Sequence, residues 1–227
     1  MRVRCAIPFV LLLLHAPAVA QQLDVVLVGN AGVSLTAGET TLLIDLPYES
    51  GAFGYMHYDP DGLVPCCDVV SVITHHHRDH IDRDLFRSRD SWRIVGPPSV
   101  VDALPPGRVL AGDSVTVGPF SIVAVPTGHT DDHRSYRVRW GGRVLFFTGD
   151  TDDPAGVPDE PAIDVLFITP WLNCALFESG RRTPTARSVL YHLRTDGSDR
   201  VCGTAEVLSQ GARFTLSRTN ERTGVDR

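Results

Sequence analysis

The segment Val72-Ile73-Thr74-His75-His76-His77-Arg78-Asp79-His80 sets four metal-competent side chains, His75, His77, Asp79 and His80, within six positions. A loop folding back on itself there can turn His75 and His77 to one cation and Asp79 and His80 to an adjacent one. Imidazole and carboxylate suit zinc, and also manganese or iron. Gathering such groups without a metal would be electrostatically wasteful. A surface His-rich tract that binds metal adventitiously is the alternative, but a strand expected just before the cluster fixes its geometry. His76 alternates away from His77 and reads as structural.

A scaffold must hold that loop. Residues 23–28, 32–36 and 41–45 are β-rich runs punctuated by Gly-Asn and Ala-Gly, an opening meander. Residues 68–74 read as the buried strand that feeds the histidines. Further strands are expected at 114–117, 120–125, 135–140, 144–148, 164–168, 188–191 and 213–216, with Gly141-Gly142 as a hairpin turn. Helices are expected over 82–87, 99–104 and 202–210. Loops are expected over 49–62, carrying Tyr55 and His57, and over 170–184, carrying Trp171. Those three side chains can line a substrate mouth or simply pack. Two strand-rich halves with interspersed helices suggest two packed sheets covered by helices, an α/β sandwich.

At 227 residues the chain has room for one substantial domain. Its net charge of −6, without a basic run, disfavours nucleic acid as a partner. Arg2 and Arg4, the apolar run 9–14 and Ala18-Val19-Ala20 have the form of a cleavable export signal. Pro8, His15 and Pro17 interrupt it, whereas a membrane anchor needs about 20 consecutive apolar residues, so no stable anchor is expected after cleavage. Removal of residues 1–20 would leave a domain of 21–227, periplasmic or secreted. That loses two Arg and no acid, taking the charge to −8. Cys66, Cys67, Cys174 and Cys202 would remain. One disulfide or free buried thiols both fit, and the spacing names no pair.

His75-x-His77-x-Asp79-His80 resembles the signature of the metallo-β-lactamase superfamily, and the resemblance extends over most of the chain after residue 20. Asn30-Ala31-Gly32 and Leu43-Ile44-Asp45 resemble its opening hairpin and the Asp that follows. Thr127-Gly128-His129-Thr130 resembles its third motif and Thr148-Gly149-Asp150-Thr151 its fourth. The resemblance implies a four-layer αββα sandwich holding two Zn2+ ions, with Mn2+ or Fe as alternatives. It implies that His75, His77 and His129 hold the first ion, Asp79 and His80 the second, and that Asp150 bridges them. It also asks for a His after a late strand. His192 is the candidate downstream of Asp150, a buried structural His being the alternative. Asp45 is implied to sit near the site, holding a ligand or loop in place. His133, beside Asp131 and Asp132, reads as a solvated loop residue or as a support of the site.

The pieces fit one mechanism. A water held between two ions about 3.5–4 Å apart loses a proton near neutrality and attacks a carbonyl or phosphorus. Asp79 can orient it and accept its proton. No G-x-S-x-G elbow supports serine chemistry. As the resemblance implies, β-lactamases proper generally carry Cys or Ser where Asp150 stands, whereas thioesterases, lactonases, phosphodiesterases and nucleases carry Asp. With export, a small ester, lactone or phosphodiester is the expected substrate. A periplasmic β-lactamase-like enzyme and a non-catalytic metal-binding protein of the same fold are the alternatives. An iron redox enzyme would call for a flavin partner or a sulfur substrate, and neither is visible.

Overall fold

Side chains alternate across a β-strand, so a strand buried on one face shows an apolar residue at every second position. The computed structural model describes residues 22–62, 68–159, 162–181 and 185–219, and it carries that alternation through two sheets. In the first half lie β1 (Gln22–Gly29), β2 (Gly32–Ala37), β3 (Thr40–Ile44), β4 (Asp68–Val72) and β5 (Arg93–Val95). In the second lie β6 (Ser114–Val117), β7 (Phe120–Pro126), β8 (Arg134–Trp140), β9 (Arg143–Phe147), β10 (Val165–Ile168), β11 (Ser188–Leu190), β12 (Glu206–Val207) and β13 (Arg213–Ser217). One sheet runs β13-β1-β2-β3-β4-β5 and the other β12-β11-β10-β9-β8-β7-β6. Each begins antiparallel and turns parallel: β3-β4-β5 in the first, β9-β10-β11-β12 in the second.

The main core lies between the sheets. Leu23, Val25 and Leu27 of β1 meet Val33 and Leu35 of β2, and across the sandwich Tyr136, Val138 and Trp140 of β8 with Phe147 and Phe167. The Phe147 and Phe167 rings stack at 4.7 Å. Burying each such side chain stabilises the fold by about 1.5–3 kcal/mol.

The opposite faces need cover as well. Leu43, Val69, Ile73 and Ile94 pack under α1 (Arg83–Ser88) and α2 (Pro98–Val101) through Phe86 and Val100. Phe146, Leu166 and Ile168 pack under α3 (Pro170–Glu178) through Leu172 and Leu176. Helix, sheet, sheet, helix is the four-layer order expected, with thin outer layers. The central strands are buried on both faces, as parallel strands are.

The Gly141-Gly142 turn forms as expected, with φ of 53° and 78°, the left-handed pair a two-residue hairpin asks for. Two expectations are corrected. The stretch expected as a loop over 170–184 opens with α3, started by the Thr169 hydroxyl accepting from Leu172 N–H and by Pro170 in the first turn. The helix expected over 202–210 is absent. Cys202 is bonded to Cys174 instead, and Glu206 and Val207 extend the sheet beside β11. The short edge strand β5 was not foreseen. The export signal expected over 1–20, Cys66 and Cys67 lie outside the described residues. No described helix is long and apolar enough to cross a membrane.

The disulfide closes 28 residues of sequence between α3 and the loop before β12. Loop closure of that size is worth about 3–4 kcal/mol by the chain-entropy account. A Cys174→Ser, Cys202→Ser double variant should therefore melt several degrees below the parent in thermal denaturation. An unchanged melting temperature would contradict this pairing.

Candidate metal centre

The parallel strands all point their carboxyl ends to one rim, where ligands of open α/β sheets gather. Asp45 follows β3, Thr74 and His75 follow β4, His129 lies beyond β7, Asp150 follows β9, Trp171 follows β10 and His192 follows β11. Asn30, Asp45 and His192 hold positive φ of 49°, 46° and 57°. Such conformations cost energy in non-glycine residues and cluster where the surrounding structure enforces them. Gly149 has φ of 58°, and a Cβ there would meet His133 Nε2 at 2.4 Å. Only glycine fits between Thr148 and Asp150.

Two groups of donor atoms converge on this rim. His75, His77, His129 and Asp150 form one, and Asp79, His80, Asp150 and His192 the other, each with its donors within 4.8 Å of one another. In the first, His75 Nε2 is 2.9 Å from His77 Nδ1, His129 Nε2 is 3.4 Å from His77 Nδ1, and Asp150 Oδ2 is 3.8 Å and 3.7 Å from His75 and His129 Nε2. In the second, His192 Nε2 is 3.1 Å from Asp79 Oδ2, 3.2 Å from His80 Nε2 and 3.4 Å from Asp150 Oδ2. His80 Nε2 lies 3.2 Å from Asp150 Oδ1. Donors about 2.0–2.1 Å from a tetrahedral centre stand roughly 3.4 Å apart. Both groups have that spacing. Asp79 Oδ1 is buried without a hydrogen-bond partner, which a cation would remedy. The residues present fit two metal ions.

Behind the donors stands a set of hydroxyls and carboxylates. His80 Nδ1 is 3.0 Å from Asp45 Oδ2, which leaves Nε2 to face the site. Thr74 Oγ1 donates to Asp45 and lies 3.0 Å from His75 Nδ1. His133 Nε2 accepts from Asp150 N–H at 3.1 Å while its Nδ1 is 2.8 Å from Thr127 Oγ1. Asn30 Nδ2 donates to the Asp79 carbonyl, the His192 N–H to the Asn30 carbonyl, and the Gly149 N–H to the Tyr191 hydroxyl.

Charge follows from this geometry. Burial and the neighbouring His80 charge push His75 far down, and burial lowers His133 to about 3, so both rings are neutral. Burial alone would do the same to His80 and His192, but Asp150 outweighs it at both. His80 is raised well above the usual imidazole value, with Asp45 adding to the effect, and His192 is raised to about 9. Burial opposes ionisation of Asp79 and Asp150, yet His192 and His80 hold both below the usual carboxylate range. Two imidazolium protons stand where the donor set would otherwise present bare negative charge.

Seven expected ligand residues are thus brought together, His192 included. His76 is exposed and outside both groups, as its alternation suggested. His133 is buried and holds the Asp150 backbone, so its reading as a solvated loop residue is corrected in favour of a support. Asp45 is buried behind His80. Tyr55 and Trp171 set their rings against His192 at 4.3 and 5.3 Å, and Trp171 Nε1 donates to the Asp150 carbonyl at 3.4 Å. Trp171 does so from α3 rather than from a loop. His57 is exposed, its ring over Gly51 and its carbonyl accepting from Gln210, away from both groups. Thr74, Thr127 and Tyr191 were not singled out. A hydroxyl just before a ligand at a strand end was the available signal for Thr74 and Tyr191.

A two-sheet α/β sandwich with a paired His/Asp centre at its carboxyl rim defines a class, and the comparisons with known proteins agree with it. The chain superposes on the metallo-β-lactamase fold protein YhfI of Bacillus subtilis with a TM-score of 0.64 at 16% identity, over 86% of this chain and 100% of that one. It superposes on Igni18, a metallo hydrolase of Ignicoccus hospitalis, with a TM-score of 0.65 at 14% identity, over 87% and 100%. In sequence it is 31% identical over 128 residues to a hydroxyacylglutathione hydrolase of Chelativorans sp. (strain BNC1), covering 54% of this chain and 48% of that protein. The match therefore spans about half the length of that relative. No family model matches the chain. The chain has the metallo-β-lactamase fold.

The charge pattern sets a pH signature for the chelator-treated chain. His192, raised to about 9, contributes stability that is complete below its unfolded value of about 6.5 and lost as pH rises through about 9. Asp150, depressed, contributes stability that is complete above about pH 4 and lost as pH falls further. The melting-temperature gap between the parent and His192→Gln should therefore shrink above pH 9. A gap constant from pH 6 to 10 would contradict the pairing.

Proposed function

We propose that this chain is an exported metal-dependent hydrolase with a two-ion centre of zinc type, acting on a small ester, lactone or phosphodiester. The observation that carries the reading is the pair of four-residue donor groups that share Asp150. The hydrolase names of the similar proteins support it. The Cys174–Cys202 disulfide supports an oxidising compartment and hence export.

Ions held by these residues would supply Lewis acidity and a water acidified toward neutrality. The chain's own residues do the rest. Asp79, ionised and with a free buried oxygen, orients the attacking water and accepts its proton. Asp150 keeps both donor groups in register, because His133 and the Gly149 turn fix its backbone. Asp45 and Thr74 hold His80 and His75 with one ring nitrogen turned inward. Tyr55 and Trp171 wall the His192 side and exclude bulk water from it.

The test is turnover of a lactone, a phosphodiester, a thioester and a β-lactam, each with and without chelator. One class should be hydrolysed, with activity abolished by chelation and restored by zinc or manganese. Asp150→Asn should cost more than the roughly 10–100-fold typical of a supporting residue, with the fold intact by circular dichroism. Chelator-insensitive turnover, or undiminished turnover in Asp150→Asn, would overturn the reading.

A further inference from the structure

Beside the centre lies a cavity of about 280 Å³ that the metal ligands do not use. Pro170 and Trp171 form its apolar wall, and Arg194, Ser198, Asp199 and Arg200 its polar one. Trp171 is common to both spaces, since its indole also meets His192 and the Asp150 carbonyl. Arg194 stands two residues after His192, so their Cα atoms are at most about 7 Å apart. A molecule reacting at the centre can thus reach the cavity past one indole ring.

The charges in the cavity are not equivalent. Arg200 is committed to Glu178, with Nη1 at 2.6 Å from Oε1. The Asp199 carboxylate accepts from the Arg194 backbone N–H, which ties down the loop and partly satisfies that charge. Arg194 is exposed and lines the cavity, and its guanidinium forms no ion pair among the described residues, although the Asp196 carboxylate lies near enough to feel its charge. In a chain of net charge −6 with many acids to pair with, a guanidinium left open in a cavity beside a reaction centre is available to a ligand. The site is also rigid. Cys174 lines the same cavity and is bonded to Cys202, and Asn173 Nδ2 donates to the Cys202 carbonyl at 2.7 Å, so α3 and the 194–202 loop are held together. The far side of the mouth is held by Thr195 Oγ1 donating to the Gly54 carbonyl at 3.4 Å.

We propose that this cavity seats an anionic group of the substrate, a carboxylate or phosphoryl, whose charge is taken by Arg194 and whose apolar stem lies along Trp171. The inference rests on the hydrolase reading for the identity of the ligand as substrate. It narrows the substrate to a molecule carrying an anion within reach of the bond cleaved. Guanidinium binds paired carboxylate or phosphoryl oxygens bidentately, which a lone ammonium does not.

Binding can be measured apart from turnover. Calorimetric titration of the metal-loaded chain with 4-phenylbutyrate, 3-phenylpropylphosphonate and the neutral 4-phenylbutyramide compares anion with isostere. At least one anion should bind about tenfold more tightly than the amide, as expected for one charge-assisted contact. Arg194→Met should bring it to the level of the amide without changing amide affinity. Arg194→Lys should retain part of the preference, and Arg200→Met most of it. Equal affinity for anions and amide, or an anion preference that survives in Arg194→Met, would overturn the proposal. The latter result would place the anion on the metals. If the Arg194-dependent preference holds while no ester in the panel is turned over, the hydrolase reading fails and the anion site stands.

Discussion

The Asp150 carboxylate lies 3.2–3.8 Å from four imidazole nitrogens, those of His75, His80, His129 and His192. It is almost wholly buried. An ionised carboxylate in such surroundings is costly unless cations meet it directly. The demand is met in this chain by convergence. Five histidines and a second carboxylate are drawn to the same rim, and without an ion Asp150 raises His80 and His192 above the usual imidazole range, so that they favour the charged form that compensates it. Removing any one compensating group would leave charge stranded in a dry space.

The sandwich serves that convergence. Parallel strands deliver ligand-bearing segments side by side at their carboxyl ends, and the antiparallel outer strands close the core that keeps them rigid. Local strain recurs at the same rim, with positive φ at Asn30, Asp45 and His192 and a glycine at 149 pressed against His133. A second ring of hydrogen bonds, from Asp45 through Thr74 to His75 and from His133 through Thr127 to Ser135, orients the His75 and His133 rings. On the open side, Tyr55 and Trp171 narrow the approach to His192, and the disulfide anchors the loop that carries Arg194.

Much of this was legible in the sequence because it rests on local signals. Apolar alternation located most strands to within a residue or two, and the spacing from His75 to His80 marked the centre. His129, Asp150 and His192 could be added only by resemblance, since their proximity arises from the packing of two sheets. What was misread depends on long-range contacts. Cys202 and Glu206–Val207 have a helix-compatible pattern, but the bond to Cys174 and the pairing with β11 decide their conformation. His133 sits among acids that suggest solvent, yet it is needed beneath the Asp150 backbone. The start of α3 carries a local signal, Thr169 as cap and Pro170 in the first turn, that competes with the loop-like composition after it. The cavity around Arg194 has no sequence signature, because its walls come from α3 and from the loop that follows β11.

The central claim is that two cation sites share Asp150. Anomalous scattering from crystals of the metal-loaded chain tests it most directly. The account predicts two peaks per chain, one among His75, His77, His129 and Asp150 and the other among Asp79, His80, Asp150 and His192. A single peak, or peaks away from these residues, would contradict it.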